Sequence, residues 1–367
     1  MSGDASVSAT VSETDGVKNE SAAARVGAAF VFDIFGETAR RQEAADAQLE
    51  AAELDVGTAR LAYLSELIST YIRLRYFQAA QGVTRQTISS RETSLRITRE
   101  RRAAGSATQL DVARASSLAA SSRSSLPPLQ AEERTAAFRI ATLINQPSDA
   151  VLARIAHLSK IPSPAAHADV GLPADLLRNR PDIRAAERRL AAATAAIGIR
   201  EAELYPSLRL NGSVSVAQSD AWSFGPSIVL PLADRPGLRA NKVVAVAEAR
   251  EAEVNYRAAY LAAIEEMQTA MMQTQMRQRQ VTELVSATSS AQAATSLAIQ
   301  SFEAGAVALD AVLDTEQTRL SSSLDLLFSQ SELAQAWVRQ QLAAGKGWAA
   351  APASSSVAPS DQSADGS

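Results

Sequence analysis

The feature that most constrains this chain is a pair of long stretches without helix breakers. Residues 37–104 contain no proline and only two glycines, Gly57 and Gly82, and residues 238–304 contain neither residue type. Each stretch predicts one continuous helix of about 100 Å at ~1.5 Å per residue, far longer than an ordinary globular helix. Apolar side chains recur at threes and fours within them, as Leu54, Leu61, Leu64, Ile68 and Ile72, and again as Val254, Leu261, Ile264 and Met271. That spacing predicts a narrow apolar stripe on each helix, the seam of a coiled coil. Composition agrees. Hydrophobic residues make up 46% of the chain but aromatics only 5%, so small aliphatics dominate, which suits helices lying close together better than a compact aromatic core.

Each long stretch ends at a glycine and turns back. The first tip reads Arg101-Arg-Ala-Ala-Gly105-Ser-Ala-Thr-Gln-Leu110-Asp111, and the second reads Ser301-Phe-Glu-Ala-Gly305-Ala-Val-Ala-Leu-Asp310. Glycine past the last helical residue supplies a left-handed cap, and Thr108 can cap the helix that follows. Return helices are expected over about 109–144, closed by Asn145-Gln146-Pro147, and over about 309–344, closed by Gly345. Pro127-Pro128 must kink or locally break the first of them. The tip glycines are 305 − 105 = 200 residues apart, and the same offset aligns the rest of the chain. The expected organisation is a first repeat over 1–146, a connector over 147–180, a second repeat over 181–345 and a disordered tail over 346–367.

Between these helices the periodicity changes to two. Val7, Ala9 and Val11 alternate with Ser6, Ser8, Thr10 and Ser12, and Phe30, Phe32 and Ile34 follow. Leu208, Leu210, Val214 and Val216 alternate with Arg209, Asn211, Ser213 and Ser215, and Trp222, Phe224, Ile228, Leu230 and Leu232 share one side of the next segment. Strands are therefore expected at about 5–12, 27–35, 207–217 and 222–233, each with one apolar and one polar face. Four strands cannot close a barrel, and an open sheet of this kind exposes its edges. Oligomerisation into a membrane barrel answers both problems. An ordinary two-sided hairpin packed on the helices answers the pattern equally well, and both readings stay open at this point.

Charge and motif content narrow the function classes. Lys+Arg total 36 against Asp+Glu 40, which supplies no basic field for nucleic acid. The chain has no cysteine, hence no disulfide, thiolate metal site, cysteine nucleophile or acylated cysteine of its own. His157 and His167 lie far apart in a connector rich in proline and alanine, without a carboxylate cluster at ligand spacing. The methionines of 267–276 invite a soft-metal reading, but Met267 and Met271 fall on the apolar stripe and packing accounts for them. No nucleophile–base pair or phosphate loop is present, so no catalytic residue, metal or cofactor is assigned. No apolar run approaches the ~20 residues of a transmembrane helix, and no secretory signal pattern opens the chain.

One segment is far more specific. Gly171-Leu-Pro-Ala-Asp-Leu-Leu-Arg-Asn-Arg-Pro-Asp-Ile-Arg-Ala-Ala-Glu-Arg-Arg-Leu190, continuing through Ala191-Ala-Ala-Thr-Ala-Ala-Ile-Gly-Ile-Arg-Glu-Ala-Glu-Leu-Tyr-Pro-Ser-Leu208, resembles the signature of the NodT-type outer-membrane factors of resistance–nodulation–division (RND) efflux systems, in the TolC/OprM superfamily. The first tip with Gly105, Leu110 and Asp111, the run Gly237-Leu-Arg-Ala240 and the run Ser125-Leu-Pro-Pro-Leu129 resemble that family too, and the likeness covers about residues 5–345. Read physically, Arg180-Pro181-Asp182 places proline and an acid in a first helical turn. Arg184, Glu187, Arg188 and Arg189 form a charged face suited to surface ion pairs.

The resemblance implies a mainly α fold with a small β part, TolC/OprM-like, built from two repeats of a strand pair and a long helical hairpin. It implies a homotrimer whose pooled strands form one barrel in the cell outer membrane, meeting lipid through Phe30, Phe32, Ile34, Leu208, Leu210, Trp222, Phe224, Ile228 and Leu230. The helices would line a periplasmic tunnel. Its tips, with Gly105, Leu110, Asp111 and Gly305, would meet a periplasmic adaptor (membrane fusion protein) attached to an inner-membrane RND pump. Asp314, with Asp310 one turn before it, would ring the pore constriction and favour cations; Asp310 stands one place off the family's usual second acid. Alternatively both acids merely complement the N-terminal dipole of their helix. The implied function is passive export of small molecules, drugs or other toxic compounds. Rival readings are a soluble coiled-coil scaffold, a non-assembling truncated fragment, and a duct for type I protein secretion. Shifted back by 200, the helix expected at 181–205 has its twin at −19 to 5, so the repeat expects a first helix, with the signal and acylated cysteine usual in the family, upstream of Met1.

Overall fold

The computed structural model describes residues 2–14, 17–156, 160–164, 179–216, 220–232 and 234–348. His157, His167, the signature residues 171–178 and the tail from Ala349 lie outside the described residues. In chain order the elements are strand β1 (Ser2–Thr14), strand β2 (Val17–Phe32), and helices α1 (Glu37–Ala103), α2 (Gln109–Ser124), α3 (Leu126–Leu143), α4 (Ser148–Ile155) and α5 (Pro181–Ala202). Strands β3 (Ser207–Val216) and β4 (Ala221–Val229) follow, then helices α6 (Arg235–Glu303) and α7 (Leu309–Ala343). Two compact units emerge, one from Met1–Val56 with Pro181–Leu261 and the other from Gly57–Arg180 with Ala262–Ser367.

The first unit holds the sheet, a four-stranded antiparallel meander of order β1-β2-β3-β4. β1 pairs with β2 from Ser2↔Ala29 to Thr14↔Val17, β2 with β3 from Ala24↔Val216 to Phe32↔Leu208, and β3 with β4 from Ser207↔Val229 to Ser215↔Ala221. β2 begins ten residues before the segment expected from alternation. Its start, Val17-Lys-Asn-Glu-Ser-Ala-Ala-Ala-Arg-Val26, carries little alternating hydrophobic pattern, and backbone pairing with β1 holds it extended.

The ends of the strands expected at 27–35 and 222–233 fall outside β2 and β4, Ile34 and Leu230 among them. β2 stops at Phe32, because Asp33 turns back to cap α1: its Oδ1 accepts the Thr38 N–H at 3.0 Å and its Oδ2 the Ala39 N–H at 2.9 Å. Ile34 therefore sits in a three-residue turn closed by its N–H on the Phe32 carbonyl at 3.0 Å. β4 stops at Val229, and Leu230 opens a matching turn in which Leu232 donates to the Leu230 carbonyl at 3.0 Å. Pro231, at the centre of that turn, has no N–H to continue a ladder.

Beneath the sheet, the early part of α1, all of α5 and the early part of α6 bury mostly alanine: Ala44, Ala47 and Ala51, Ala185, Ala192 and Ala195, Ala245 and Ala249. A Cβ on Gly198 would stand 2.9 Å from Cγ of Arg40, so this glycine lets the Arg40 side chain cross α5. The signature's charges lie here: Arg188 is 3.5 Å from Glu50, and Arg189 pairs with Asp55 of α1 at 2.5 Å. Glu187, expected beside Arg184, is 3.3 Å from Arg188.

In the second unit, Leu74 packs with Ala136, Ala137 and Ile140 of α3 and Val151 and Ile155 of α4. Buried Arg75 donates to the Ile155 carbonyl at 2.9 Å, where the α4 dipole ends negative. Ile72 packs on Ala334 and Val338, and Met267 on Ala343 and Ala344. The Pro127-Pro128 pair breaks the return helix at Ser125, which keeps helical dihedrals of φ −78°, ψ −16°.

The seam expected on α6 is not the buried one. Val254, Leu261 and Met271 are exposed, while Ala245, Ala249, Ala263, Met267 and Ala270 are buried. Small side chains allow close interhelical approach, so contacts within the chain use the alanine face and leave the larger apolar residues outward.

Candidate functional sites in the sheet and at the helical tips

Register gives the sheet two chemically distinct faces. Val26, Ala28, Phe30 and Phe32 on β2 stand opposite Val214, Gly212, Leu210 and Leu208 on β3, which in turn face Trp222, Phe224, Pro226 and Ile228 on β4. This face is apolar and open: Trp222 is 80% exposed, Phe224 70% and Ile228 72%. Val26, Phe30, Leu210, Gly212, Val214, Trp222 and Phe224 border a shallow concavity of about 520 Å³. Water disfavours such a contiguous apolar surface, which marks contact with lipid or another protein. One aromatic stands at each of four successive levels of this face: Phe32, Phe30, Phe224 and Trp222.

The opposite face is polar and internally bonded. Asn211 donates to Ser227 at 2.8 Å, Ser213 and Ser223 lie 3.0 Å apart, Ser215 donates to the Ala221 carbonyl at 3.3 Å, and Arg25 reaches Ser213 at 3.3 Å. Cross-strand hydroxyl and amide pairs of this kind stabilise a solvated sheet surface. Strands with apolar residues outward on one face and a wet opposite face match a barrel wall.

At the tips, Gly105 and Gly305 take φ of +75° and +77°. Both close the same cap: Gly105 donates to Arg102 at 3.0 Å and Ser106 to Arg101 at 2.9 Å, while Gly305 donates to Phe302 at 2.9 Å and Ala306 to Ser301 at 2.8 Å. Thr108 and Asp111 form a reciprocal cap on α2, with the Thr108 N–H donating to Asp111 Oδ2 at 2.8 Å and the Asp111 N–H to Thr108 Oγ1 at 3.2 Å. The backbone N–H and then the hydroxyl of Thr108 hold the Asp111 carboxyl below its ordinary pKa. Leu110 projects into solvent.

The two tips are joined. Leu95, Ala115 and Ala119 share a cluster with Phe302, Leu309, Val312 and Leu313. The Arg101 guanidinium lies 4.0 Å from the Phe302 ring centroid and donates to the Phe302 and Glu303 carbonyls, capping the negative end of α6. Asp310 is engaged by Arg114 of α2 at 3.1 Å, whereas the exposed Asp314 carboxylate has no bonded partner among the described residues. Deeper in, Glu316 is 0% exposed and Arg91 4%, with Nε and Oε2 3.9 Å apart. Ser90 donates to Glu316, and Arg91 donates to Ser122 at 2.6 Å and to Gln317 at 2.8 Å. Burial pushes the Arg91 pKa down, opposed by the Glu316 charge beside it and reinforced by Arg319. Helical periodicity alone does not find Arg114, Arg91 or Glu316, because each acts across the two repeats.

Comparison with known proteins agrees with this architecture. The family described as outer membrane efflux protein matches residues 1–146 and 172–346. Nodulation protein T of Rhizobium leguminosarum bv. trifolii is 35% identical over 324 residues, spanning 86% of this chain and 69% of that protein. The pyoverdine export outer membrane protein OpmQ of Pseudomonas aeruginosa is 31% identical over 353 residues, 94% of this chain and 74% of its own length. Among solved structures, the outer-membrane channel OprN has a TM-score of 0.82 at 31% identity, covering 95% of this chain and 81% of that one. VceC of Vibrio cholerae, with a TM-score of 0.83 at 24% identity and coverage of 95% and 87%, shows the same fold. The chain belongs to the outer membrane efflux protein family.

Proposed function

We propose that three copies of this chain assemble into a passive duct that carries small molecules through the outer membrane, receiving them from a periplasmic adaptor and an inner-membrane RND pump. The observation that carries this reading is the sheet: an exposed apolar face backed by a hydrogen-bonded polar face, with both edge strands open. Three copies would supply twelve strands and remove every edge. Phe30, Phe32, Leu208, Leu210, Trp222, Phe224 and Ile228 would then meet lipid, while Ile34 and Leu230, beyond the strand ends, would lie at its margin. Val254, Leu261 and Met271, exposed on α6, supply apolar surface for a neighbouring copy.

At the tips, Gly105, Leu110, Asp111 and Gly305 would present the turns to the adaptor, and Asp314 would contribute one carboxylate per copy to a constriction. Asp310, tied to Arg114, fits a tether between hairpins better than a free pore acid. The similarity to OpmQ, a pyoverdine export protein, favours small-molecule cargo over secreted protein.

Reconstitution of the purified chain into planar bilayers tests the reading. Stepwise conductance from a trimeric species is expected, and charged substitutions at Phe30, Trp222 and Ile228 should abolish insertion. A monomeric chain without conductance, or one that tolerates those substitutions, would instead be a coiled-coil scaffold.

A further inference from the structure

The polar face of the sheet carries a charge pattern that export alone does not require. Among the side chains described on it, Arg25 of β2 and Arg209 of β3 are the charged ones; the rest are Ser6, Ser8, Asn211, Ser213, Ser215, Ser223 and Ser227 with small or apolar residues. Arg25 stands opposite Ser215, and Arg209 opposite Val31 and Ser227. Arg25 and Val31 are six positions apart on β2, which puts the two arginines at levels about 20 Å apart along the strand. Asp4 occupies one backbone register position on β1, opposite Gly27.

Neither arginine has an ion-pair partner among the described residues. Among the described residues, Arg25 hydrogen-bonds to the Ser213 hydroxyl at 3.3 Å. Arg209 shares a concavity of about 260 Å³ at the foot of the sheet with Asp33, Glu37 and Glu203. Each of these acids is already engaged, Asp33 in the α1 cap, Glu37 with Arg41 at 2.7 Å and Glu203 with Arg200 at 2.9 Å. Both guanidinium groups are exposed, always charged and weakly hydrated, which suits contact with passing carboxylate, sulfonate or phosphate groups.

We infer that Arg25 and Arg209 form two cationic tiers on the cargo-facing wall of the barrel and bias the duct toward anionic small molecules. This rests on the duct reading above. In a trimer the two tiers bring six guanidinium groups to the wall, and charge lining a pore sets ion preference. The acidic constriction proposed at the tips acts in the opposite sense. The change on substitution therefore carries the information, not the absolute preference of the wild type.

The test is the reversal potential of the full chain in planar bilayers under a potassium chloride gradient, near 0.05 M salt, for wild type, R25Q/R209Q and R25K/R209K. The expected result is a shift of about twofold or more toward potassium in the glutamine variant, wild-type behaviour in the lysine variant, and a much smaller shift near 1 M salt, where the screening length falls to about 3 Å. If the double glutamine variant does not insert, R25Q and R209Q singly should each give part of the shift. An unchanged ratio in the glutamine variants, or an equal change in the lysine variant, overturns the inference while leaving the duct intact. Absence of any wild-type conductance overturns the duct reading, and this inference with it.

Discussion

Nη1 of Arg114 on α2 lies 3.1 Å from both carboxylate oxygens of Asp310 on α7, tying the start of one return helix to the other across 196 residues of sequence. Both side chains are about half or more exposed, at 49% and 68%, so the pair contributes no more than about 1 kcal/mol. Replacing Arg114 by alanine should therefore leave the denaturation midpoint nearly unchanged. It should nonetheless raise the open fraction of single channels, because the tether between hairpins is gone. The charge-swapped R114D/D310R variant should return the open fraction toward wild type. If R114A and wild type gate identically, the pair is surface decoration.

The buried pair behaves in the opposite way. Glu316 and Arg91 are both withdrawn from water, and Arg91 is further bonded to Ser122 and Gln317. Removing one partner strands the other charge. Glu316→Ala is expected to destabilise by ~3–5 kcal/mol, whereas R91M/E316L, which removes both charges, should cost much less. Chemical denaturation followed by helical circular dichroism separates these outcomes. Equal losses in the single and double variants would show that packing, not charge, is the issue at this contact.

How much of this is legible in the sequence depends on what each contact is made of. Glycine and proline punctuation located both long helices, both tips and the break near Pro127, because those features are local in sequence. Alternation located the faces of β3 and β4. It missed the first ten residues of β2, whose extended state comes from its partner strand rather than from its own side chains. The α6 stripe of Val254, Leu261 and Met271 is periodic but lies outside the seam within the chain, which alanine fills. Periodicity identifies a face and does not say which neighbour covers it. Arg114 with Asp310, and Arg91 with Glu316, join distant repeats and left no local trace.

The return helices end in a matched pair that local physics can test. Asn145 and Gly345, again 200 residues apart, take φ of 51° and 68°. Asn145 donates to Thr142 at 3.2 Å and Gln146 to Ala141 at 3.0 Å, repeating the closure used by Gly345 and Lys346. Left-handed backbone is costly for residues with a Cβ, less so for asparagine. Asn145→Gly should therefore be neutral or stabilising by a few tenths of a kcal/mol. Gly305→Ala, at φ +77°, should lose about 1 kcal/mol. Thermal melts of the two variants should move in different directions; a shared direction would mean that contacts around the turns outweigh backbone preference.

The hairpin entries offer the complementary test, because the repeats differ there. Thr108 caps α2, but its counterpart Ala308 enters α7 with nearly the same backbone, φ −77°, ψ 161° against φ −90°, ψ 165°, and no side-chain cap. Thr108→Ala should cost about 1 kcal/mol, and Ala308→Thr should add up to about as much to α7. The first contact also titrates. Thr108 holds the Asp111 carboxyl below its ordinary pKa, so its stabilisation is fully present above the unfolded value of about 4 and is lost as pH falls through the lower folded value. The stability gap between wild type and T108A should accordingly be constant from neutral pH down to about 4 and narrow below it. Ala308→Thr, with Ala311 where α2 has Asp111, lacks the reciprocal acid, and its gain should show no such acid dependence. Denaturation midpoints at neutral and acidic pH decide both points. A gap that stays constant through the acid range would mean that the backbone N–H of residue 108, which the alanine variant keeps, holds the Asp111 carboxylate without help from the hydroxyl.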